Sequence, residues 1–342
     1  MKILENNIGN DELKIRIETL DDLWYIKNLL EPGDLIVSDV FRRVELNDDM
    51  DRAKSTERKK IKVKLKVEKV DFQPYTDKIK ILGEIIEGDE AGSHQSIFLG
   101  TDDEFLLIKE FTDEDLNLLR EATDTSQSTG IYFISMDDEE ATVCALRPYG
   151  IQELASIKSG KSGKYFDVKQ QSSGYYQEIE YVLKNIRDII ILIILGPGFE
   201  HSKFYNFINQ NPYFKNFKKY DFAVEDTGKR GIYEFLGSEK SENILKNSRL
   251  VRDEKIINKF LEGLNKSATS IYGYGDILKY AQMGIIQDLI ISEEKFHAPE
   301  TRELLSILNG SANIHVISRY SDSGEIIKKF GGYCAILRYS IK

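Results

Sequence analysis

The sequence predicts a multidomain α+β and α/β protein, with a small β-barrel first and two α/β layer domains after it. A length of 342 residues exceeds the usual size of one domain. Many short alternating segments follow a single helix in the first 125 residues, which is typical of a small barrel. Residues 188–195 form an unbroken apolar run, which predicts a strand covered on both faces within an α/β layer.

The first domain is predicted over residues 1–125. Alternation over residues 13–18 predicts a strand, after which Thr19 is expected to cap a helix with Asp21 and Asp22 in its first turn. Further strands are predicted at residues 34–40, 61–71, 78–87, 96–99 and 104–109, and a closing helix at residues 112–120. The small polar residues 122–130 are interpreted as a linker.

The second domain is predicted over residues 131–247 and the third over residues 250–342. In the second, we expect strands at residues 131–135, 141–146 and 188–195, and helices at residues 173–185 and 200–210. In the third, we expect helices at residues 252–264, 275–283 and 301–309, and strands at residues 287–291, 313–318 and 333–339. Such alternation is typical of a sheet covered by helices.

Positive charge is concentrated in one short segment of an acidic chain. Residues 52–69 hold nine Lys or Arg against Glu57 and Glu68, while the whole chain carries a net charge of −10. Clustered cations of this kind are typical of nucleic-acid binding, since phosphate neutralisation supplies most of its affinity. Alternation over residues 61–70 predicts a strand with one solvated face, and solvation is the interpretation favoured for its lysines.

Residues 42–60 lack an apolar rhythm and are interpreted as a long basic loop that feeds this strand. RNA contact is the favoured interpretation of the loop, with a solvated hairpin as the alternative. The candidate RNA-binding residues in it are Arg42, Arg43, Arg52, Lys54, Arg58, Lys59 and Lys60.

A second candidate phosphate contact is the Gly/Ser loop at residues 159–164. Ala155 stands where a P-loop requires Gly, so nucleotide hydrolysis is not expected. For Lys161 and Lys164, contact with an RNA backbone and plain solvation are both compatible with the sequence. Acidic clusters at residues 48–51, 102–104 and 137–140 have the oxygen ligands of a divalent cation, but they are more typical of solvated turns.

Cysteine and histidine usage excludes several metal sites. Cys144 and Cys334 stand among apolar neighbours and are interpreted as buried free thiols, and the lack of a Cys-x-x-Cys pair excludes a zinc ribbon. The four histidines lack metal-ligand spacing. The longest apolar run is too short to cross a bilayer and the first ten residues lack an apolar signal core, so we expect a cytoplasmic protein.

The turn Gly196-Pro-Gly-Phe199 follows the predicted buried strand. The carboxyl edge of an open α/β sheet is a favoured position for ligands. Phe199 is therefore either an exposed anchor for a protein partner or a residue that packs inward at a tight turn, and the residues alone slightly favour inward packing.

Segments in all three predicted domains, in this order, resemble the Pelota family of ribosome-rescue factors. They are DDLWYIKNLLEPGD (21–34), ERKK (57–60), GPGF (196–199), YGDILKYAQMG (274–284) and GEIIKKFGGYCAILRY (324–339). The resemblance runs nearly end to end. It implies an Sm-like barrel, followed by two α/β/α domains of the type found in class-one release factors.

The resemblance also implies a function and partners. A Pelota protein is expected to bind the empty A site and mRNA channel of a stalled ribosome in mRNA surveillance (no-go decay). Delivery by an elongation-factor-like GTPase and subunit splitting with an ABC-type recycling ATPase would follow. By the same analogy, residues 42–60 enter the decoding region, and Pro197, Gly198 and Phe199 contact the GTPase. We expect a monomer that needs no cofactor.

One departure from the release factors limits the expected chemistry. The chain contains no Gly-Gly-Gln, and its nearest segment is QQSSG at residues 170–174. Hydrolysis of peptidyl-tRNA is therefore not expected. An endoribonuclease activity that needs a divalent metal cation is the alternative that the family implies, but no His/His or His/Lys spacing supports it. A general RNA-binding module unrelated to ribosomes is the third hypothesis.

Overall fold

The computed structural model describes residues 1–45, 56–74, 76–87, 91–124, 130–160, 168–245 and 248–340, with only the backbone for residues 41–45, 56–60, 168–173 and 266–267. The chain divides into two compact units, Met1–Asp124 and Thr125–Lys342. The second unit contains two sheets. The α+β and α/β class predicted from the sequence is confirmed. The boundary predicted between the second and third domains stays a prediction.

The first unit is built on a seven-stranded antiparallel sheet with the strand order β1-β2-β7-β3-β4-β5-β6. The strands are β1 (Lys2–Asn7), β2 (Glu12–Arg16), β3 (Leu35–Glu45), β4 (Thr56–Asp71), β5 (Lys78–Ile85), β6 (His94–Gly100) and β7 (Glu104–Ile108). The helices are α1 (Leu20–Leu29) and α2 (Asp113–Thr123). Sequence reasoning missed β1, because this end strand is mostly exposed and lacks apolar alternation.

Helix α1 begins as the sequence predicts. Its capping residue Thr19 has extended backbone, and the carboxylate of Asp22 accepts hydrogen bonds from the Thr19 N–H (3.0 Å) and the Glu18 N–H (2.8 Å). These bonds satisfy donors at the start of the helix. Beyond the cap, Trp24 is fully buried and anchors the helix in the core of the first unit.

A buried cation joins the two helices of the first unit. The Nζ of Lys109 donates to the backbone oxygen of Leu29 (2.9 Å) at the end of α1 and to Oδ1 of Asp115 (3.1 Å) in the first turn of α2. Asp34 lies 3.8 Å away. Lys109 and Asp115 are both buried, so their pairing compensates two charges that would otherwise be costly in the interior.

The first sheet of the second unit has the order β10-β9-β8-β11-β12, and its inner strand β11 runs parallel to both neighbours. The strands are β8 (Ile131–Met136), β9 (Glu140–Arg147), β10 (Gly150–Lys158), β11 (Ile191–Gly196) and β12 (Lys218–Ala223). The helices are α3 (Val168–Lys184), α4 (Glu200–Asn209), α5 (Gly228–Leu236), α6 (Glu239–Ile244) and α7 (Arg249–Glu262). Sequence reasoning missed β10 and β12, the two outer strands, because their faces are incompletely buried.

The second sheet of this unit has the order β13-β16-β14-β15. The strands are β13 (Ser270–Tyr272), β14 (Ile286–Ser292), β15 (Asn313–Ile317) and β16 (Tyr333–Leu337). The helices are α8 (Tyr274–Gln282), α9 (Pro299–Leu308) and α10 (Asp322–Lys329). The first two helices pack on one face, and α7 and α10 pack on the other. Each predicted strand and helix of this region is confirmed, whereas β13 and α10 were not predicted.

Helix α7 packs against both sheets of the second unit. Leu250 and Val251 belong to the apolar cluster on the first sheet, and Ile257 and Phe260 belong to the cluster on the second. Near its start, Nη2 of Arg249 donates to the backbone oxygen of Val316 at 2.5 Å. The helix therefore ties the two sheets together.

A buried carboxyl group lies on this shared helix. Burial raises the pKa of Glu254, the 2.7 Å hydrogen bond from Ser323 Oγ lowers it, and the charges of Asp322 and Asp253 raise it, with the result that the pKa is about 7. The neutral form of Glu254 is therefore favoured in the folded chain well above the pH at which an exposed glutamate ionises.

We expect Glu254→Gln to remove a pH-dependent loss of stability. The unfolded-state pKa is 4.5 and the folded value is about 7, so the free energy of unfolding falls as pH rises through this window and levels off above it. The variant should match the parent near the lower limit and exceed it by about 2–3 kcal/mol at pH 8. Urea denaturation across this pH range measures the difference.

The matched control is Glu262→Gln, which neutralises an exposed carboxylate on the same helix. Its stability difference from the parent should not change across the window. A difference between Glu254→Gln and the parent that is the same at pH 5 and pH 8 would contradict the assignment.

Candidate functional site

The basic segment of the first unit forms a hairpin. Strands β3 and β4 pair in register from Leu35↔Lys66 to Glu45↔Thr56. The prediction that residues 42–60 form a loop is therefore wrong for the described part of that segment. Arg42, Arg43, Arg58, Lys59 and Lys60 lie on the paired strands, because backbone hydrogen bonds sustain a ladder without apolar alternation.

The hairpin register places like charges opposite each other. Arg42 pairs with Lys59, and Arg43 pairs with Arg58. Like charges at directly opposite positions destabilise a strand pair. An anion that neutralises these positions would remove that cost, so the register itself favours polyanion binding.

Several predicted residues lie outside the described residues. They are Arg52 and Lys54, which fall between β3 and β4 in the sequence, Lys161 and Lys164 of the predicted Gly/Ser loop, and the acidic cluster at residues 48–51. Their predicted roles stay predictions.

The lysines farther along β4 agree with the solvated interpretation. Lys64 forms an ion pair with Glu87 (2.6 Å), and Lys69 forms one with Asp71 (2.6 Å). On the other face of the strand, Val63, Leu65 and Val67 are buried. The predicted alternation over this part of β4 is confirmed.

Side chains of the two described acidic clusters stabilise turns of the backbone. Oδ2 of Asp103 accepts a hydrogen bond from the Gly100 N–H (2.8 Å), and Oδ1 of Asp137 accepts from the backbone N–H groups of Glu139 (2.8 Å) and Glu140 (2.9 Å). Within the described ranges, no group of three or more His, Cys, Asp or Glu side chains is placed to hold a metal ion.

Both thiols are buried and free, as the sequence predicts. Burial raises the pKa of Cys144 and of Cys334 to about 12. A thiol of this kind is a poor nucleophile at neutral pH.

The second candidate site is the turn Gly196-Pro-Gly-Phe199 in the second unit. Gly196 is the last residue of β11, and Phe199 caps the start of α4. The side chain of Phe199 is 81% exposed, so the inward packing that the residues alone slightly favoured is wrong. An aromatic ring held in solvent at the carboxyl edge of a buried sheet is suited to a protein partner.

The close approach of two strands fixes the start of this turn. A Cβ on Gly196 would lie 1.8 Å from the backbone oxygen of Met136, which no side chain can accept. Gly198 has φ +68°, in the left-handed region that favours glycine, and has open space around it. Gly196 is therefore required by the close strand contact, and Gly198 is favoured by its backbone conformation.

Buried polar side chains hold the first turn of α4. Glu200 accepts hydrogen bonds from the Tyr176 hydroxyl (2.7 Å) and Lys203 Nζ (2.9 Å). Nδ1 of His201 lies 2.5 Å from Oδ1 of Asp221 on β12. These contacts hold the helix turn from which Phe199 projects. Sequence reasoning did not find the His201–Asp221 pair, because a separation of twenty residues carries no motif.

Comparison with known proteins identifies the family. Residues 1–123 match the Pelota N-terminal domain, and residues 250–341 match eRF1 domain 3. A pelota homologue of Picrophilus torridus is 49% identical over 96% of each chain. This chain belongs to the Pelota family. The resemblance carried by the sequence segments is therefore confirmed.

Other Pelota relatives agree over the full length. The homologue of Thermoplasma acidophilum is 39% identical and covers 100% of both chains. The crystal structure of the Thermoplasma acidophilum Pelota protein matches with a TM-score of 0.85 at 33% identity, again over 100% of both chains. Dom34 of S. cerevisiae, a translation termination-like factor that interacts with Hbs1, shares the fold with a TM-score of 0.54 at 19% identity, over 100% of this chain and 99% of Dom34.

No helix among the described residues has both the length and the apolar composition that are needed to cross a membrane.

We expect Gly196→Ala to destabilise the second unit more than Gly198→Ala does. The first substitution forces β11 and β8 apart and should cost about 3 kcal/mol, whereas the second adds only backbone strain of about 1 kcal/mol. Urea denaturation followed by circular dichroism measures both. A larger loss for Gly198→Ala would show that strand contact does not fix the turn.

Proposed function

We propose that this chain recognises stalled ribosomes at the empty A site and promotes subunit dissociation in mRNA surveillance, without hydrolysing peptidyl-tRNA. The observation that carries the proposal is the basic hairpin. Cations at residues 42–43 and 58–60 occupy paired positions in a chain of net charge −10. Their mutual repulsion and the negative background both favour an RNA-lined channel as the place where this hairpin lies.

The hairpin supports recognition of a vacant site. Two extended strands are narrow enough to enter a channel that an intact codon–tRNA pair would otherwise fill. The hairpin would then bind an empty channel more tightly than an occupied one, since the phosphates are accessible only when the channel is empty. Arg52, Lys54, Lys161 and Lys164 are included in the proposal as further RNA contacts.

The exposed turn supports a protein partner. Phe199 is an exposed aromatic residue beside Pro197 and Gly198, and aromatic anchors carry much of the affinity of an interface. Family membership implies an elongation-factor-like GTPase here, and the related Dom34 interacts with Hbs1. We propose that an ABC-type recycling ATPase is the second partner, and that the chain acts in the cytoplasm as a monomer without a cofactor.

The missing Gly-Gly-Gln supports binding without ester hydrolysis. Residues 170–174, the nearest segment, lie inside α3 and thus in regular helix. The endoribonuclease alternative, with its divalent cation, stays a prediction.

We expect Arg58→Ala/Lys59→Ala/Lys60→Ala to flatten the salt dependence of ribosome binding. If about five phosphates are neutralised, log K falls with log salt at a slope near −3.5, and loss of three contacts leaves about −1.4. Co-sedimentation with empty-A-site ribosomes at several salt concentrations measures the slope.

The charge-matched control is Lys62→Ala/Lys64→Ala/Lys66→Ala, on the solvated face of β4. Its slope should stay near that of the parent. Equal slopes for both triple variants would assign the effect to net charge and refute a specific role of the hairpin.

We expect Phe199→Ala to weaken GTPase binding by more than tenfold while leaving the stability unchanged, because the ring is exposed. Calorimetry with the GTPase and a non-hydrolysable GTP analogue measures the affinity. Met283→Ala, which removes another exposed apolar side chain of the same unit, is the control. Equal affinities of the Phe199 variant and the parent would remove the turn from the interface.

A further inference from the structure

The first sheet of the second unit carries a charged surface at the edge opposite Phe199. Strands β11 and β12 are parallel, so their amino ends, Ile191 and Lys218, lie together at one edge, while Gly196 and Ala223 lie at the other. The six-residue strands separate the two edges by about 17 Å. The amino edge is therefore a different surface from the turn discussed above.

This surface is basic. Residues 181–190 and 211–219, which lead into the two strands, hold five Lys or Arg against the single acid Asp188. Asp188 accepts a 2.6 Å hydrogen bond from the Tyr132 hydroxyl. The cation nearest the core, Lys219, donates to the backbone oxygen of Phe214 and is structural. The remaining cations are exposed.

Two exposed tyrosines lie among these cations. Tyr181 on α3 is 69% exposed and Tyr213 is 46% exposed. Tyr213 is held in place, since its hydroxyl donates to the backbone oxygen of Lys184 (3.4 Å) and its ring packs edge-on against the buried Phe214, with centroids 5.0 Å apart. A fixed exposed ring loses little entropy when a flat group stacks on it.

The cations around the tyrosines differ in whether a carboxylate of the protein already pairs with them. Lys184 lies with Nζ 5.8 Å from the centre of the Tyr213 ring and forms an ion pair with Glu180. Over the described ranges, no carboxylate forms an ion pair with Arg187, Lys215 or Lys218. Three cations thus remain for a bound anion, beside two rings.

We propose that this amino-edge face, formed by Tyr181, Lys184, Arg187, Tyr213, Lys215 and Lys218, binds single-stranded RNA. The tyrosine rings stack on bases, and Arg187, Lys215 and Lys218 contact phosphates. Exposed aromatic rings beside a basic track are the general means by which proteins bind single strands without reading their sequence. An acidic peptide would use the cations but leave both exposed rings without a role. The inference is independent of ribosome recognition by the hairpin.

The test uses the full chain with Arg42, Arg43, Arg52, Lys54, Arg58, Lys59 and Lys60 replaced by Ala, so that the proposed contacts of the hairpin segment do not mask the second surface. Fluorescence anisotropy measures binding of a labelled oligouridylate of about twelve nucleotides, a length that a single-strand site can cover. Adding Lys215→Ala/Lys218→Ala should weaken binding and reduce the slope of log K against log salt by about 1.4. The charge-matched control Lys328→Ala/Lys329→Ala, on α10, should leave the slope unchanged.

The rings are tested separately from the charges. Tyr213→Ala and Tyr181→Ala should each weaken binding about tenfold, and Tyr213→Phe, which keeps the ring, should retain it. Because the Tyr213 ring also packs against Phe214, thermal melting accompanies that variant, and Tyr181→Ala provides a test without this contact. The proposal would be overturned if the background variant bound no oligouridylate, or if both lysine-pair substitutions weakened binding equally. It would also be overturned if polyglutamate displaced the labelled oligouridylate as well as unlabelled oligouridylate does.

Discussion

Burial of both faces of β11 is the constraint on which the second unit depends. Leu192 and Ile194 pack into one apolar cluster, and Ile193 and Leu195 pack into the other. Each such side chain contributes about 1.5–3 kcal/mol on burial, so the strand cannot shift without losing both layers. Because both apolar layers hold β11 in register, its two ends are defined positions. One end leads to Phe199, and the other lies beside the basic amino-edge face.

Some cations of this chain are paired with carboxylates, and others are concentrated in short segments. Lys64, Lys69 and Lys109 have carboxylate partners and contribute to the fold. In the hairpin, the register instead places Arg42 opposite Lys59 and Arg43 opposite Arg58, and like charges at opposite positions do not stabilise a strand pair. In a chain with a net charge of −10, such local concentrations of positive charge steer association with RNA and limit it to a few surfaces.

Helix α7 packs against both sheets of the second unit, and this position buries the carboxyl group of Glu254. A helix that serves two apolar clusters must place some polar positions between them, where burial is unavoidable. Glu254 takes one of these positions beside Ser323, and its raised pKa reflects that location. The junction between the two sheets is thereby the part of the unit whose stability responds to pH near neutrality.

The sequence by itself determined the fold class, several helices and the inner strands, because alternation, an unbroken apolar run and caps such as Thr19 are local signals. The resemblance of segments in all three predicted domains indicated the family. The sequence did not predict the outer strands β1, β10, β12 and β13 or the helices α5, α6 and α10, whose local patterns are weak. Tertiary structure alone decided that Arg42 and Lys59 lie on paired strands and that Phe199 points into solvent. Cross-strand register and the direction of an exposed ring depend on contacts between remote segments, which no local pattern encodes.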